Sequence, residues 1–238
     1  MPQLLLVQKK IRQAAKNDKA KILQRFFKTG PGEYGEGDEF LGVTVPEIRK
    51  LVKNFSSLPL KQIGILLHSD FHEERLLALL LLVEQYQKGD NLNKERIFKI
   101  YISNTKYINN WDLIDLTAPQ IVGDYLENKN KKLLFDFAKS ADLWKKRIAM
   151  LATFQYIKKG QPDLALAIAE KLIYDDHDLI QKAVGWMLRE IGKRCSVSKE
   201  EIFLNKFAAT MPRTALRYAL ERMPEKRKKY FMDLKKML

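Results

Sequence analysis

Apolar residues recur at helical spacing along almost the whole chain, and no stretch alternates in the manner of a strand between tight turns. The first windows read as amphipathic helices over 4–16 and 18–28, with Asn17-Asp18 as the break and cap between them. Residues 30–39 interrupt the pattern as an acidic, glycine-rich loop insertion containing Glu33, Glu36, Asp38 and Glu39. Periodicity resumes at Thr44, where Val45-Pro46-Glu47 opens a helix with proline in its first turn. The spacing then predicts helices over 60–68, 71–88, 93–104, 110–126, 130–139, 142–158, 162–174, 178–192, 198–209, 212–222 and 224–236. Pro119 strains the 110–126 window, because its ring removes the hydrogen bond to the Asp115 carbonyl. Either the helix kinks there, or Thr117 caps a new one.

The helices repeat. Residues 74–78, Glu74-Arg75-Leu76-Leu77-Ala78, resemble Lys146-Arg147-Ile148-Ala149-Met150 and Gln181-Lys182-Ala183-Val184-Gly185; Pro212-Arg213-Thr214-Ala215-Leu216 fits more loosely. Arg75 and Arg147 are 72 residues apart, and Arg147 and Lys182 are 35 apart. A period near 35–40 with two helices per unit predicts an all-α fold: an α-solenoid superhelix of HEAT-like repeats forming a single domain over 1–238. The second helix of each pair lines the concave face of such a slab. That helix repeatedly begins with a basic residue, so Arg75, Arg147, Lys182 and Arg213 form an expected row of cations along a basic concave face. A solvated helix face is the plainer alternative.

Charge sharpens this picture. The 238 residues carry a formal net charge of +14, and the isoelectric point is about 9.6. Such an excess favours a polyanion, most often nucleic acid. It is also clustered, with 13 Lys/Arg against 5 Asp/Glu in residues 191–238. The lone cysteine, Cys195, excludes an internal disulfide and fits a reducing compartment; with no histidine near it in sequence it reads as buried filler. The apolar runs 4–7 and 76–83 are too short for a signal peptide or a bilayer span, so a cytoplasmic protein without membrane contact is expected.

The candidate chemistry lies in Asn109-Asn110-Trp111-Asp112-Leu113-Ile114-Asp115. Trp111 and Asp115 are four apart and share one helix face. An indole offers its π-face and a carboxylate its charge, so together they suit a cationic substrate. Asp115 stands among Leu113, Ile114 and Leu116, where a carboxylate is either paired or functional. Arg147 is a candidate partner, and a structural ion pair and a catalytic carboxylate both satisfy that requirement. Asp112 reads as a solvent-facing or helix-start residue. Trp186 shares its helix with charged groups on the inferred inner face. Gly185 beside it permits either close packing or approach by a ligand. Trp144 reads as core packing. His68 and His72, four apart, are too few for a metal site. There is no nucleophile elbow, zinc-deaminase signature or dinucleotide fingerprint. The 30–39 stretch lacks the Gly-Lys-Ser/Thr ending of a phosphate loop, and its acidic charges are expected to repel phosphate.

Four segments carry a family resemblance. They are Phe40-Leu41-Gly42-Val43 with Pro46-Glu47, Asn110 to Asp115, Trp144-Lys145-Lys146-Arg147-Ile148-Ala149, and Gln181 to Glu190. In this order they resemble the AlkD-like DNA alkylation repair proteins over essentially the whole chain. The resemblance implies a HEAT-like-repeat DNA glycosylase that removes bulky or cationic N3- and N7-alkylated purines without flipping the lesion into a pocket. Two tryptophans, one aspartate and a nearby arginine form the cleft in that family. Carried over, these are Trp111, Trp186, Asp115 and Arg147. Arg75, Lys182, Arg189 and Arg213 are the expected DNA-binding residues. The implied partner is double-stranded DNA containing alkylated purines, engaged by a monomer with no cofactor. A non-catalytic DNA-binding HEAT-repeat protein of the same family is the alternative, and a protein-binding scaffold is a third. The chain departs from the family's pattern in the acidic 30–39 stretch and at Thr44, where glutamine is expected.

Overall fold

The computed structural model describes residues 2–234, and the chain divides into two units between Ile121 and Val122. Helices are the regular elements of the described residues, with one isolated parallel bridge between Glu39 and Phe71. In the first unit lie α1 (Pro2–Gln13), α2 (Asn17–Phe26), α3 (Val45–Asn54), α4 (Leu60–Leu67), α5 (His72–Lys88), α6 (Asn91–Ser103) and α7 (Trp111–Asp115). The second contains α8 (Lys132–Ala138), α9 (Leu143–Ala152), α10 (Phe154–Lys158), α11 (Asp163–Leu172), α12 (Asp178–Arg194), α13 (Val197–Phe207), α14 (Arg213–Leu220) and α15 (Glu225–Leu234). No described helix is long and apolar enough to cross a membrane.

Two predicted helices are each broken by a buried threonine. The 110–126 window ends as α7 at Asp115 and continues as a π-helical turn over Pro119–Gly123. Thr117 does not cap that turn. Its hydroxyl bonds back to the Leu113 carbonyl and pairs with the Tyr101 hydroxyl at 3.0 Å. The 142–158 window breaks at Thr153, whose hydroxyl donates to the Met150 carbonyl at 2.6 Å. A hydroxyl turned onto the preceding turn competes with the backbone ladder and bends the helix.

Helix α5 is the hub of the first unit and packs against α3, α4, α6 and α7. Residues 72–83 are buried without exception, as expected of a helix that is apolar on all sides after its first turn. That first turn, His72-Glu73-Glu74-Arg75, is four consecutive ionisable residues, all buried. Each has partners. Glu73 accepts the backbone N–H groups of Leu41, Gly42 and Val43 at 2.8–3.1 Å. Glu74 accepts from Arg12 of α1 and from the Ser69 hydroxyl, both at 2.7 Å. Charges taken out of water persist only with such bonding. Gly42 sits at φ +80°, and a β-carbon there would collide with the Lys16 carbonyl oxygen.

The acidic stretch is a folded element rather than a free insertion. Glu33 and Glu36 bond back to the Gly30 and Gly32 amides at 2.9 Å, closing successive turns. Gly35 packs so closely that a β-carbon would lie 2.5 Å from the Phe27 carbonyl oxygen. Asp38 is buried and bonded, so only Glu33, Glu36 and Glu39 face solvent. Three of the four carboxylates expected to face solvent do so, and the fourth, Asp38, is turned inward.

Helix α12 is the hub of the second unit, packed against α9, α10, α11, α13 and α14. Gly185 serves packing: a β-carbon there would overlap the Ala215 carbonyl and come within 2.5 Å of the Tyr218 β-carbon on α14. Gly123 meets Ala152 and Gln155 in the same way. The same glycine-mediated approach thus occurs twice in this unit.

Candidate active site

Helix α7 presents the two residues of interest. Asn110 caps it, its side-chain oxygen accepting from the Trp111 amide at 2.9 Å. Asp112, Leu113 and Ile114 are buried, whereas Trp111 and Asp115, at the two ends of the helix, are half-buried. Trp111 is held by an aromatic stack. Its indole lies parallel to Phe27, centroids 5.0 Å apart at 18°, and Phe27 stacks on Phe40 at 5.0 Å. Phe40 in turn stacks on the His72 ring at 4.4 Å. Phe26, 60% exposed, sets its edge against Trp111 at 5.8 Å. Tyr101 is buried; burial, aided by the Asp115 charge and opposed by the Thr117 hydrogen bond, raises the pKa of its phenol.

Under α7 lies a network of charges. His72, 1% exposed, places Nδ1 2.8 Å from Asp38 and Nε2 2.9 Å from Asp112. Arg75 donates to Asp38, to the Asn109 side chain at 3.2 Å, and to the Ser69 and Asp70 carbonyls at 3.0 Å. Burial alone lowers the His72 pKa, but the two carboxylates outweigh it and hold the pKa near 9. Burial also acts against the Asp38 anion. His72 and Arg75 together overcome it and hold that carboxyl below its ordinary value. Asp112 does begin a helix, as expected, but it is buried against His72 and does not face solvent.

The expected DNA-binding residues differ in setting. Arg75 is 4% exposed; both terminal guanidinium nitrogens are bonded inside the protein and its Nε is buried without a hydrogen-bond partner among the described residues, so the side chain is turned away from solvent. Arg213 is exposed, and Lys182 is half-buried and paired with Asp178 at 2.7 Å. Both line a hollow of about 620 Å³ with Thr214, Arg217, Tyr218 and Glu221. Arg189 is largely covered and paired with Glu221. Of the catalytic candidates in the second unit, Arg147 is buried and donates to the Leu179 carbonyl at 2.6 Å. Trp186 is half-buried, 6.0 Å from Phe154. Trp144 is half-buried in the first turn of α9, not in the core. The expected row of cations is therefore uneven, buried at Arg75 and Arg147 and open at Arg213. His68 and His72 part company, His68 being exposed and stacked on Tyr107. Among the described residues no three His, Cys, Asp or Glu side chains gather to hold a metal ion. Cys195 is half-buried, its thiol donates to the Ile157 carbonyl, and burial raises its pKa.

Sequence reasoning missed Phe26, Phe27, Asp38 and His72. One signal was available: four successive ionisable residues at the head of an eight-residue apolar run require buried partners elsewhere.

An all-helical chain thus presents an indole and a carboxylate at the two ends of one short helix. Residues 7–223 match the family described as DNA alkylation repair enzyme, and the chain belongs to that family. Its fold is similar to that of a predicted DNA alkylation repair enzyme from Enterococcus faecalis, with a TM-score of 0.70. That match covers 89% of this chain and 97% of the other at 18% identity, a likeness of fold. No curated protein matches the sequence.

Proposed function

We propose that this protein is a DNA glycosylase that hydrolyses the N-glycosidic bond of purines alkylated at N3 or N7 in duplex DNA, without flipping the base. The observation that carries this reading is the exposure pattern of α7: Trp111 and Asp115 are half-buried while the three residues between them are buried. Glycosidases ordinarily need a second carboxyl group to protonate the leaving group. A purine alkylated at N3 or N7 already carries positive charge and departs without an acid. One carboxylate then suffices. Asp115 stabilises the oxocarbenium-like sugar or positions the attacking water. Trp111 contacts the deoxyribose and favours its developing charge. Arg147 contributes a fixed cation, its guanidinium tied to the Leu179 carbonyl. Arg213, Lys182 and Arg189 engage phosphates. No cofactor enters the reaction, and the protein acts as a monomer.

The reading makes the charge of the lesion decisive. A duplex carrying 7-methylguanine should lose its base, whereas one carrying a neutral lesion, such as hypoxanthine, should not. Equal release of both bases would require a proton donor that the proposal does not contain, and would overturn it.

A further inference from the structure

The contacts of His72 reach beyond its own helix. Both ring nitrogens face carboxylate oxygens, Asp38 at 2.8 Å and Asp112 at 2.9 Å. An ionised carboxylate only accepts, so the ring must donate from both nitrogens. A neutral imidazole would aim a lone pair at one of the two anions. The four charges balance: Asp38 and Asp112 against His72 and Arg75. Glu73 and Glu74, on the same turn, are satisfied elsewhere, by the amides of residues 41–43 and by Arg12 with Ser69.

The two anions come from different parts of the first unit. Asp38 belongs to the folded 30–39 stretch, and Asp112 is the residue after Trp111 on α7. The ring of His72 also closes the stack that runs through Phe40 and Phe27 to Trp111. We propose that His72 is the positioning residue of the candidate site: its doubly donating imidazolium clamps the 30–39 stretch to α7 and so fixes the Trp111 indole and the Asp115 carboxylate in one orientation before DNA arrives. This rests on Trp111 and Asp115 being the working residues. A helix of five residues has too few internal hydrogen bonds to hold itself, so an external clamp on its second residue sets its angle. Pre-organised groups need no reorganisation in the transition state, and misplacing them by an ångström costs on the order of 10²-fold in rate.

The clamp has a pH window. The folded-state pKa of His72, near 9, exceeds its ordinary value of 6.5, so the stabilisation is intact below 6.5 and is lost as pH rises through 9. Asp38 is held below its ordinary value, so it remains an anion across that range.

The experiment uses the full chain labelled with ¹⁵N. The Trp111 indole resonance is assigned by its loss in Trp111→Phe, and the His72 ring is titrated in the same samples. Trp111 should shift with the midpoint of His72, and Asp112→Asn should move both midpoints to lower pH together. On 7-methylguanine duplex, His72→Gln should lower kcat about 10²-fold with KM little changed. The alkaline limb of kcat should follow the His72 midpoint in wild type and in Asp112→Asn. A folded His72→Gln protein with Trp111 at its wild-type resonance overturns the proposal. Should that variant not fold, a wild-type Trp111 signal that ignores the His72 titration does the same. If no base is released in any sample while Trp111 still follows His72, the glycosylase reading falls and the clamp stands.

Discussion

At the scale of single residues, burial decides which ionisable groups are open to function. Asp115 remains half-buried at the end of α7, whereas Asp112, three residues earlier, is enclosed by His72. That difference was not legible in the sequence, because the partners of Asp112 and Asp38 lie 40 and 34 residues away. The adjacent Trp111/Asp115 spacing was legible, since it needs only helical geometry. Glu200 on α13 illustrates the energetic side. Its carboxyl lies over Gly192, where a β-carbon would overlap it, and its Oε1 has no hydrogen-bond partner among the described residues. Burial first, and Glu201 second, raise its pKa to about 8 from an ordinary 4.5. The folded state therefore keeps a proton that the unfolded chain releases, so stability declines as pH rises from 4.5 through 8. Glu200→Gln should raise Tm relative to wild type more at pH 9 than at pH 5, as measured by thermal unfolding. An equal difference at both pH values would contradict the buried, protonated carboxyl.

At the scale of elements, the helices were legible because their apolar period is clear and their starts carry caps such as Thr44 with Glu47 and Asp142 at α9. The interruptions at Thr117 and Thr153 were not, since back-bonding by a buried hydroxyl depends on what packs around it. The 30–39 stretch read as a loop because its glycines and carboxylates look solvent-facing; its order comes from Asp38 and Gly35 meeting residues distant in sequence. Gly185 gives a test in which two effects oppose each other. Alanine is the better helix former by about 1 kcal/mol. The β-carbon, however, would collide with the Ala215 carbonyl and crowd Tyr218, forcing α12 and α14 apart. Gly185→Ala should therefore be destabilised in chemical denaturation. A stabilised variant would show that the two helices do not approach as described.

At the scale of the whole molecule, the net charge of +14 and membership of a DNA alkylation repair family point to the same polyanion. The apolar period of the sequence predicted the all-helical build, and within the second unit Gly123 and Gly185 each let a neighbouring backbone carbonyl approach closely. Charge by itself did not reveal which cations face solvent, since Arg75 and Arg147 share a sequence pattern with Lys182 and Arg213 yet are buried. In the proposed reaction, duplex binding brings the lesion to the protein and the chemistry rests on one carboxylate. Single-turnover release of 7-methylguanine from a defined duplex, compared between wild type and Asp115→Asn, tests this directly. Release by wild type with a loss of about 10²-fold or more in the variant is expected. Release at the same rate by both proteins, or at the uncatalysed rate by both, contradicts it.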